Sequence, residues 1–160
     1  MQLSHPFDPV FNENSSILIL GTFPSVKSRE CGFFYGHPQN RFWKIIAHIT
    51  NADSVPLTIT DKKQMLLTAG IALADVLQSC DVEASSDSSI KNVVPADLAK
   101  ILRNSKIDRI YANGEKAHQL FMKYFHRDIG KEILKLPSSS PANAQYSLEK
   151  LISEWEKITI

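Results

Sequence analysis

Apolar residues in this chain fall into short unbroken runs, separated by stretches in which they recur every three or four positions. Ser15-Ser16 lead into Ile17-Leu18-Ile19-Leu20, which stops at Gly21. Such a run reads as a strand covered on both faces. Ile71-Ala72-Leu73-Ala74, ending near Asp75, repeats the pattern; Ile107 to Ala112 is a third strand and Glu132 to Leu136 a shorter fourth. Between them, Phe42, Ile45, Ile46 and Ile49 stand at helical spacing. A second helix is expected from Thr60 or Asp61 to Gly70, with Met65, Leu66 and Leu67 partly buried. Ser79 to Asn92, rich in Ser and Asp, reads as loop. Pro95 suits the first turn of a helix that buries Leu98, Ile101 and Leu102. Gly114 opens a helix carrying Ala117, Leu120, Phe121 and Tyr124. Ser140 is expected to cap the last helix, with Pro141 in its first position and Leu148, Leu151, Ile152 and Trp155 buried.

Strands alternating with helices predict an α/β fold: a short, mainly parallel sheet of four strands with helices on both faces, a three-layer α/β/α arrangement. Folds of this kind carry their sites at the carboxyl ends of the strands. Those ends are Gly21 onward, Asp75 onward, Asn113-Gly114, and Pro137 to Ser140, so the unusual loops share one edge. No internal repeat or linker divides residues 1–160, and one domain is expected.

Composition narrows the class without naming a function. Apolar residues make up 43% and charged residues 22%, the profile of a soluble globular protein. No run approaches the roughly 20 apolar residues of a membrane helix. The opening segment MQLSHPFDPVFNENSS has neither the basic flank nor the apolar core of an export signal. An internal address is expected, cytoplasmic in a bacterium or archaeon and nuclear in a eukaryote. Cys31 and Cys80 stand far apart, and the five histidines form no H-E-x-x-H pair, so no metal site is expected. Lys and Arg number 18 against 17 Asp and Glu, which gives no global attraction to nucleic acid. The densest basic cluster is local: Lys27, Arg29 and Arg41 beside an aromatic loop.

Three segments can carry chemistry. Gly21-Thr22-Phe23-Pro24-Ser25 follows a buried strand, and its glycine permits close approach of a ligand to the backbone. Alone it is an ordinary turn. Gly32-Phe33-Phe34-Tyr35-Gly36-His37-Pro38-Gln39-Asn40-Arg41-Phe42-Trp43 offers aromatic rings that can stack on a planar base. Phe42 and Trp43 read as core. Asn40 can cap the helix they begin and still hold a water or a base edge, while Arg41 can pair with phosphate or with an acidic core partner. Pro137-Ser138-Ser139-Ser140-Pro141-Ala142-Asn143-Ala144, feeding a helix start, is a candidate anion site.

Together these segments resemble the uracil-DNA glycosylase superfamily, and most closely its hypoxanthine (deoxyinosine) branch. The resemblance rests on LILGTFPS, GFFYGHPQNRFWKII, GIALADVLQSCDVEASSDSSIKNVVP, IYANGEKA and LPSSSPANA, in the family's order from Ile17 to Ala144. It implies a flipped nucleotide held in a cleft at the strand ends. Carried over by position, Asn40 in G-H-P-Q-N matches the catalytic asparagine, and His37 of the same run is placed with it. Gly21 and Thr22 supply base-binding backbone, Phe23 and Tyr35 stack on the base, and Asp75 falls where related enzymes read it. Ser25, Lys27, Arg41, Ser138, Ser139, Ser140 and Asn143 are placed at the DNA. The chain departs from the wider superfamily in two respects. Its first loop lacks the acidic residue that activates water elsewhere, and its last loop has no histidine where H-P-S-P is common.

The expected partner is DNA containing a deaminated base, met by a monomer without a membrane or cofactor. The expected reaction is hydrolysis of the bond between base and sugar, leaving an abasic site. Two other readings stay open on sequence: a uracil or mismatch enzyme with the same chemistry, and a DNA- or nucleotide-binding module of this fold without catalysis.

Overall fold

The computed structural model of the chain describes residues 2–81 and 91–158. In chain order the elements are β1 (Gln2–Ser4), β2 (Ile17–Gly21), α1 (Val26–Cys31), α2 (Phe42–Ile49), α3 (Ile59–Thr68), β3 (Ile71–Asp75), β4 (Leu77–Asp81), β5 (Lys91–Pro95), α4 (Leu98–Arg103), β6 (Arg109–Asn113), α5 (Glu115–Tyr124), α6 (His126–Ile129), β7 (Ile133–Leu136) and α7 (Leu148–Trp155). The four predicted strands pair in the order β3-β2-β6-β7, each with its neighbour in parallel. Register runs from Ile17 opposite Ile71 to Gly21 opposite Asp75, so a glycine and a carboxylate end side by side at the carboxyl edge.

Alternation along each strand sorts side chains between two helical layers. Ile17, Ile19, Ile71, Leu73, Tyr111 and Leu136 pack on one face against Phe42, Ile45 and Ile46 of α2, Leu66 of α3, and Leu151 and Trp155 of α7. Leu18, Leu20, Ala72, Ala74, Ile110 and Ala112 pack on the other against Leu98 and Ile101 of α4 and Ala117, Leu120 and Phe121 of α5. The α/β/α layering predicted from the sequence is what forms. Two buried indoles also tie this core to the loops above it. Trp43 donates from Nε1 to the Phe34 carbonyl at 3.1 Å, and Trp155 to the Pro137 carbonyl at 2.9 Å.

Several local expectations need correcting. Ser79 to Asn92 is not all loop. Its ends belong to a second, antiparallel sheet in the order β1-β4-β5, and residues 82–90 lie outside the described part. The polar Ser79 and Asp81 disguise a strand that turns straight out of β3 and buries Leu77 and Cys80. Pro95 closes β5 rather than opening a helix; α4 starts three residues later, capped by the Asp97 carboxylate, which accepts from the Lys100 N–H at 3.1 Å. Residues 22–41 hold a short helix, α1, capped by Ser25 and ended by Gly32 in the left-handed region at φ 78°. The last helix is capped by Ser147, not Ser140, because residues 141–147 fold as turns. Among the described residues no helix is long and apolar enough to cross a membrane.

Candidate functional site

The carboxyl ends of β2, β3, β6 and β7 surround a cavity of about 170 Å³, which α1, the aromatic loop and the serine loop close from above. Asn40 stands in its wall with a fixed amide orientation. Its Oδ1 accepts from the Phe42 N–H at 2.9 Å and from the Ser139 hydroxyl at 2.8 Å. A backbone N–H can only donate, so the atom facing it must be the oxygen, and the side chain cannot be turned over. The Ser139 hydroxyl is in turn locked. Asn113 Nδ2 donates to it at 2.9 Å, while Asn113 Oδ1 accepts the Ser139 N–H at 2.9 Å. This relay of two amides and a buried serine leaves Asn40 Nδ2 with no acceptor among the described residues. Asn40 therefore meets the cavity as a donor.

Arg41 holds the other side of the serine loop. Its guanidinium donates to the carbonyls of Ser139 (3.4 Å), Ser140 (2.7 Å), Asn143 (3.0 Å) and Tyr146. The sequence offers Arg41 phosphate or an acidic core partner; its fork is instead committed to backbone that no helix satisfies. Asn143 adds a bond from Nδ2 to the Ser138 carbonyl at 3.0 Å, and Ser138 Oγ accepts the Ser140 N–H at 3.1 Å. Below the loop, Gly114 at φ 97° lies so close to Ser138 that a Cβ there would sit 3.1 Å from the serine Cβ. The loop is braced, and it does not form the helix-start anion site expected of it.

The cavity floor is polar and crowded. A Cβ on Gly21 would fall 2.4 Å from Asp75 Oδ1 and 2.8 Å from the Tyr35 hydroxyl, so only glycine lets these two groups reach the backbone. Tyr35, at φ 53°, stacks its ring on Phe42 with centroids 4.1 Å apart and buries its hydroxyl without a hydrogen-bond partner among the described residues. Burial, reinforced by the Asp75 charge, pushes the phenol far above its usual range, and the Asn113 amide opposes this only in part. Asp75, 7% exposed, binds through Oδ2 to His5 Nε2 at 2.8 Å, while His5 Nδ1 meets the Phe7 carbonyl at 2.8 Å. A larger cleft, about 480 Å³, runs past His5 on the far side and shares Phe34 and Asp75 with the first. The chemistry-bearing groups converge on the smaller cavity.

A profile described as "Uracil DNA glycosylase superfamily" matches residues 9–159. The chain belongs to the uracil DNA glycosylase superfamily. Relatives within it include a protein of Methanosarcina acetivorans named "Hypoxanthine DNA glycosylase", 34% identical over 95% of both chains. A protein of the same name from Methanosarcina barkeri is 32% identical over 93% of both. A solution NMR structure of a Methanosarcina acetivorans protein, with a provisional uracil DNA glycosylase designation, superposes with a TM-score of 0.83. It is 33% identical and spans 99% of this chain and 96% of its own.

Of the superfamily positions carried over from sequence, Gly21, Thr22, Phe23, Ser25, Tyr35, Asn40, Asp75, Ser138, Ser139 and Ser140 all line the cavity. Four do not. His37 accepts the Gln39 N–H on Nδ1 at 3.1 Å, and its carbonyl accepts the Asn40 N–H, so it shapes the turn that presents Asn40. Arg41 and Asn143 brace the serine loop from outside. Lys27 is exposed and pairs with Glu30 at 3.5 Å. The basic cluster is likewise dispersed, since Arg29 donates to the Pro24 carbonyl at 3.0 Å. Two site residues escaped the sequence reading. Asn113 ends β6 and gave a signal, standing at a strand end beside Gly114. His5, seventy positions from its partner in an unpatterned segment, gave none.

Proposed function

We propose that this protein is a monofunctional DNA glycosylase. It takes a deaminated base, hypoxanthine before uracil, out of DNA into the cavity and hydrolyses the bond to the sugar, leaving an abasic site in an intact strand. The relatives named for hypoxanthine, matched over nearly their whole length, support the base. The observation that carries the chemistry is the locked amide of Asn40, with its oxygen used twice and its nitrogen free. Heterolysis leaves the bonding electron pair on the base and positive charge on the sugar; water then adds its oxygen to the sugar carbon and gives up a proton, which neutralises the released base anion. An amide is too weak a base, and the lone pairs of Asn40 Oδ1 are already engaged, so it cannot take a proton from that water. It lowers the barrier by donating to the leaving base, where negative charge develops, together with backbone N–H groups after Gly21.

Base choice follows from the opposite polarity at Asp75. Hypoxanthine and uracil carry a ring N–H beside a carbonyl, and a carboxylate oxygen accepts that hydrogen. Adenine presents a bare ring nitrogen there, and two buried acceptors facing each other reject it strongly. Phe23, half-buried in the cavity lining, is the ring free to stack on the base; one face of Tyr35 is already taken by Phe42.

The test is alkali-induced strand cleavage of duplexes carrying one hypoxanthine, uracil or xanthine after incubation with the protein. Hypoxanthine ahead of uracil is the expected order. Uracil first keeps the chemistry and changes the substrate. No cleavage by folded protein refutes the enzyme and leaves a DNA- or nucleotide-binding module.

A further inference from the structure

We propose that His5 is a positioning residue for base choice, holding Asp75 Oδ2 so that Oδ1 meets the bound base only as a hydrogen-bond acceptor. The inference rests on the glycosylase reading above and adds to it the residue that sets the polarity of the pocket.

Hydrogen counting leads to it. The Phe7 carbonyl only accepts, so His5 Nδ1, 2.8 Å away, must carry a hydrogen. One more hydrogen must lie between Nε2 and Asp75 Oδ2, also 2.8 Å apart. It belongs either to an imidazolium facing a carboxylate or to a carboxylic acid facing a neutral imidazole. Both forms have the same outward face: Oδ2 is occupied, and Oδ1 keeps its lone pairs toward Gly21 and the cavity. No described residue donates to Oδ1. Without this partner, nothing ties a hydrogen on the carboxyl to Oδ2. That proton can sit on either oxygen. On Oδ1 it makes a donor, which suits the bare ring nitrogen of adenine and opposes the N–H of hypoxanthine.

The surround favours such an exchange. His5 is wrapped by Phe7, Phe23 and Phe34, with ring centroids at 4.6, 5.8 and 5.7 Å. The titratable groups that face the pair are the Tyr35 phenol on the cavity side and Asp8, Asp97 and Lys100 across the larger cleft. Among the described residues, His5 is the side chain that shares a hydrogen with the Asp75 carboxyl. It comes from the segment after β1, so the small antiparallel sheet, absent from the sequence reading, anchors a residue of the site.

The experiment compares wild type, His5→Phe and His5→Gln in single-turnover release of hypoxanthine and of adenine from duplex DNA, between about pH 5.5 and 8. Phenylalanine keeps the ring among its aromatic neighbours and removes both nitrogens. Glutamine keeps an N–H for Oδ2 without a titratable ring. His5→Phe is expected to lose about tenfold or more of the preference for hypoxanthine at the acid end and to regain release as pH rises. His5→Gln is expected to keep the wild-type preference. Nitrogen-15 NMR of the wild-type ring should show a hydrogen on Nδ1, and a bare Nδ1 overturns the inference. Wild-type preference and pH profile in folded His5→Phe also overturn it, leaving the glycosylase reading intact. Absence of hypoxanthine release by wild type sinks the glycosylase reading itself and this role with it.

Discussion

Tyr35→Phe should make the ligand-free protein more stable and the enzyme slower. The substitution deletes one oxygen and leaves the stacked contact with Phe42, at 4.1 Å and 22°, in place. The left-handed backbone at φ 53° is equally unfavourable for both side chains, so that cost cancels. What remains is a hydroxyl buried without a partner, which costs about 1–3 kcal/mol. Allowing for some relaxation around it, a gain of about 1–2 kcal/mol is expected, or a rise of about 2–8 °C in Tm for a domain of this size. Urea unfolding followed by tryptophan fluorescence measures it, with the midpoint moving and the m-value unchanged. The pH dependence supplies a sign. Burial and Asp75 raise the folded phenol above its unfolded value. The folded chain therefore keeps a proton that the unfolded chain loses, and wild-type stability should fall as pH climbs past about 10. Tyr35→Phe should fall less. Slower base release completes the expectation, because the hydroxyl belongs to the cavity floor and is left for the bound base to satisfy. Destabilisation by about 1 kcal/mol or more would refute this reasoning, since it would mean that the hydroxyl is paired in solution.

Three further outcomes follow from the same geometry. Asn40→Asp keeps an oxygen for the Phe42 N–H and the Ser139 hydroxyl but replaces the free amide donor with an acceptor. Base release should drop by about a hundredfold or more with Tm nearly unchanged, and equal activity would remove Asn40 as the donor. Arg41→Lys keeps the charge but not the fork that reaches the carbonyls of Ser139, Ser140 and Asn143. Stability and base release should fall together while the salt dependence of DNA binding stays put; a lost phosphate contact would instead lower the salt slope by about one. Gly21→Ala drives a methyl against Asp75 Oδ1 and the Tyr35 hydroxyl, and should cost about 1–3 kcal/mol and more than tenfold in base release.

The fold was legible where hydrophobicity is periodic. All four strands of the parallel sheet and the helices on its faces announced themselves, because a strand covered twice must be an apolar run. The second sheet did not. Its first strand has only three residues, and the Lys91-Asn92 start of β5 is exposed, so polarity there looks like loop. Gln78 of β4 points outward for the same reason while Leu77 and Cys80 are buried. Ser140-Pro141 has the chemistry of a cap, so sequence alone starts the last helix too early. The structure uses that serine to accept the Ala142 N–H in a turn, and Ser147 serves as the cap instead.

The site was legible by residue type but not by partnership. Sequence order marks Asn40, Asp75 and the serines, yet it cannot say that Asn40 and Ser139, ninety-nine positions apart, share a hydrogen. Nor can it say that Arg41 braces a loop rather than reaching solvent. These pairings decide the chemistry. A relay of asparagines and serine carries no titratable group, so the lock on Asn40 is independent of pH. Among the described residues lining the cavity, Tyr35 and Asp75 are the titratable ones, and the phenol stays neutral at ordinary pH. Hydrogen placement in the Asp75–His5 contact is therefore what separates one pocket polarity from the other.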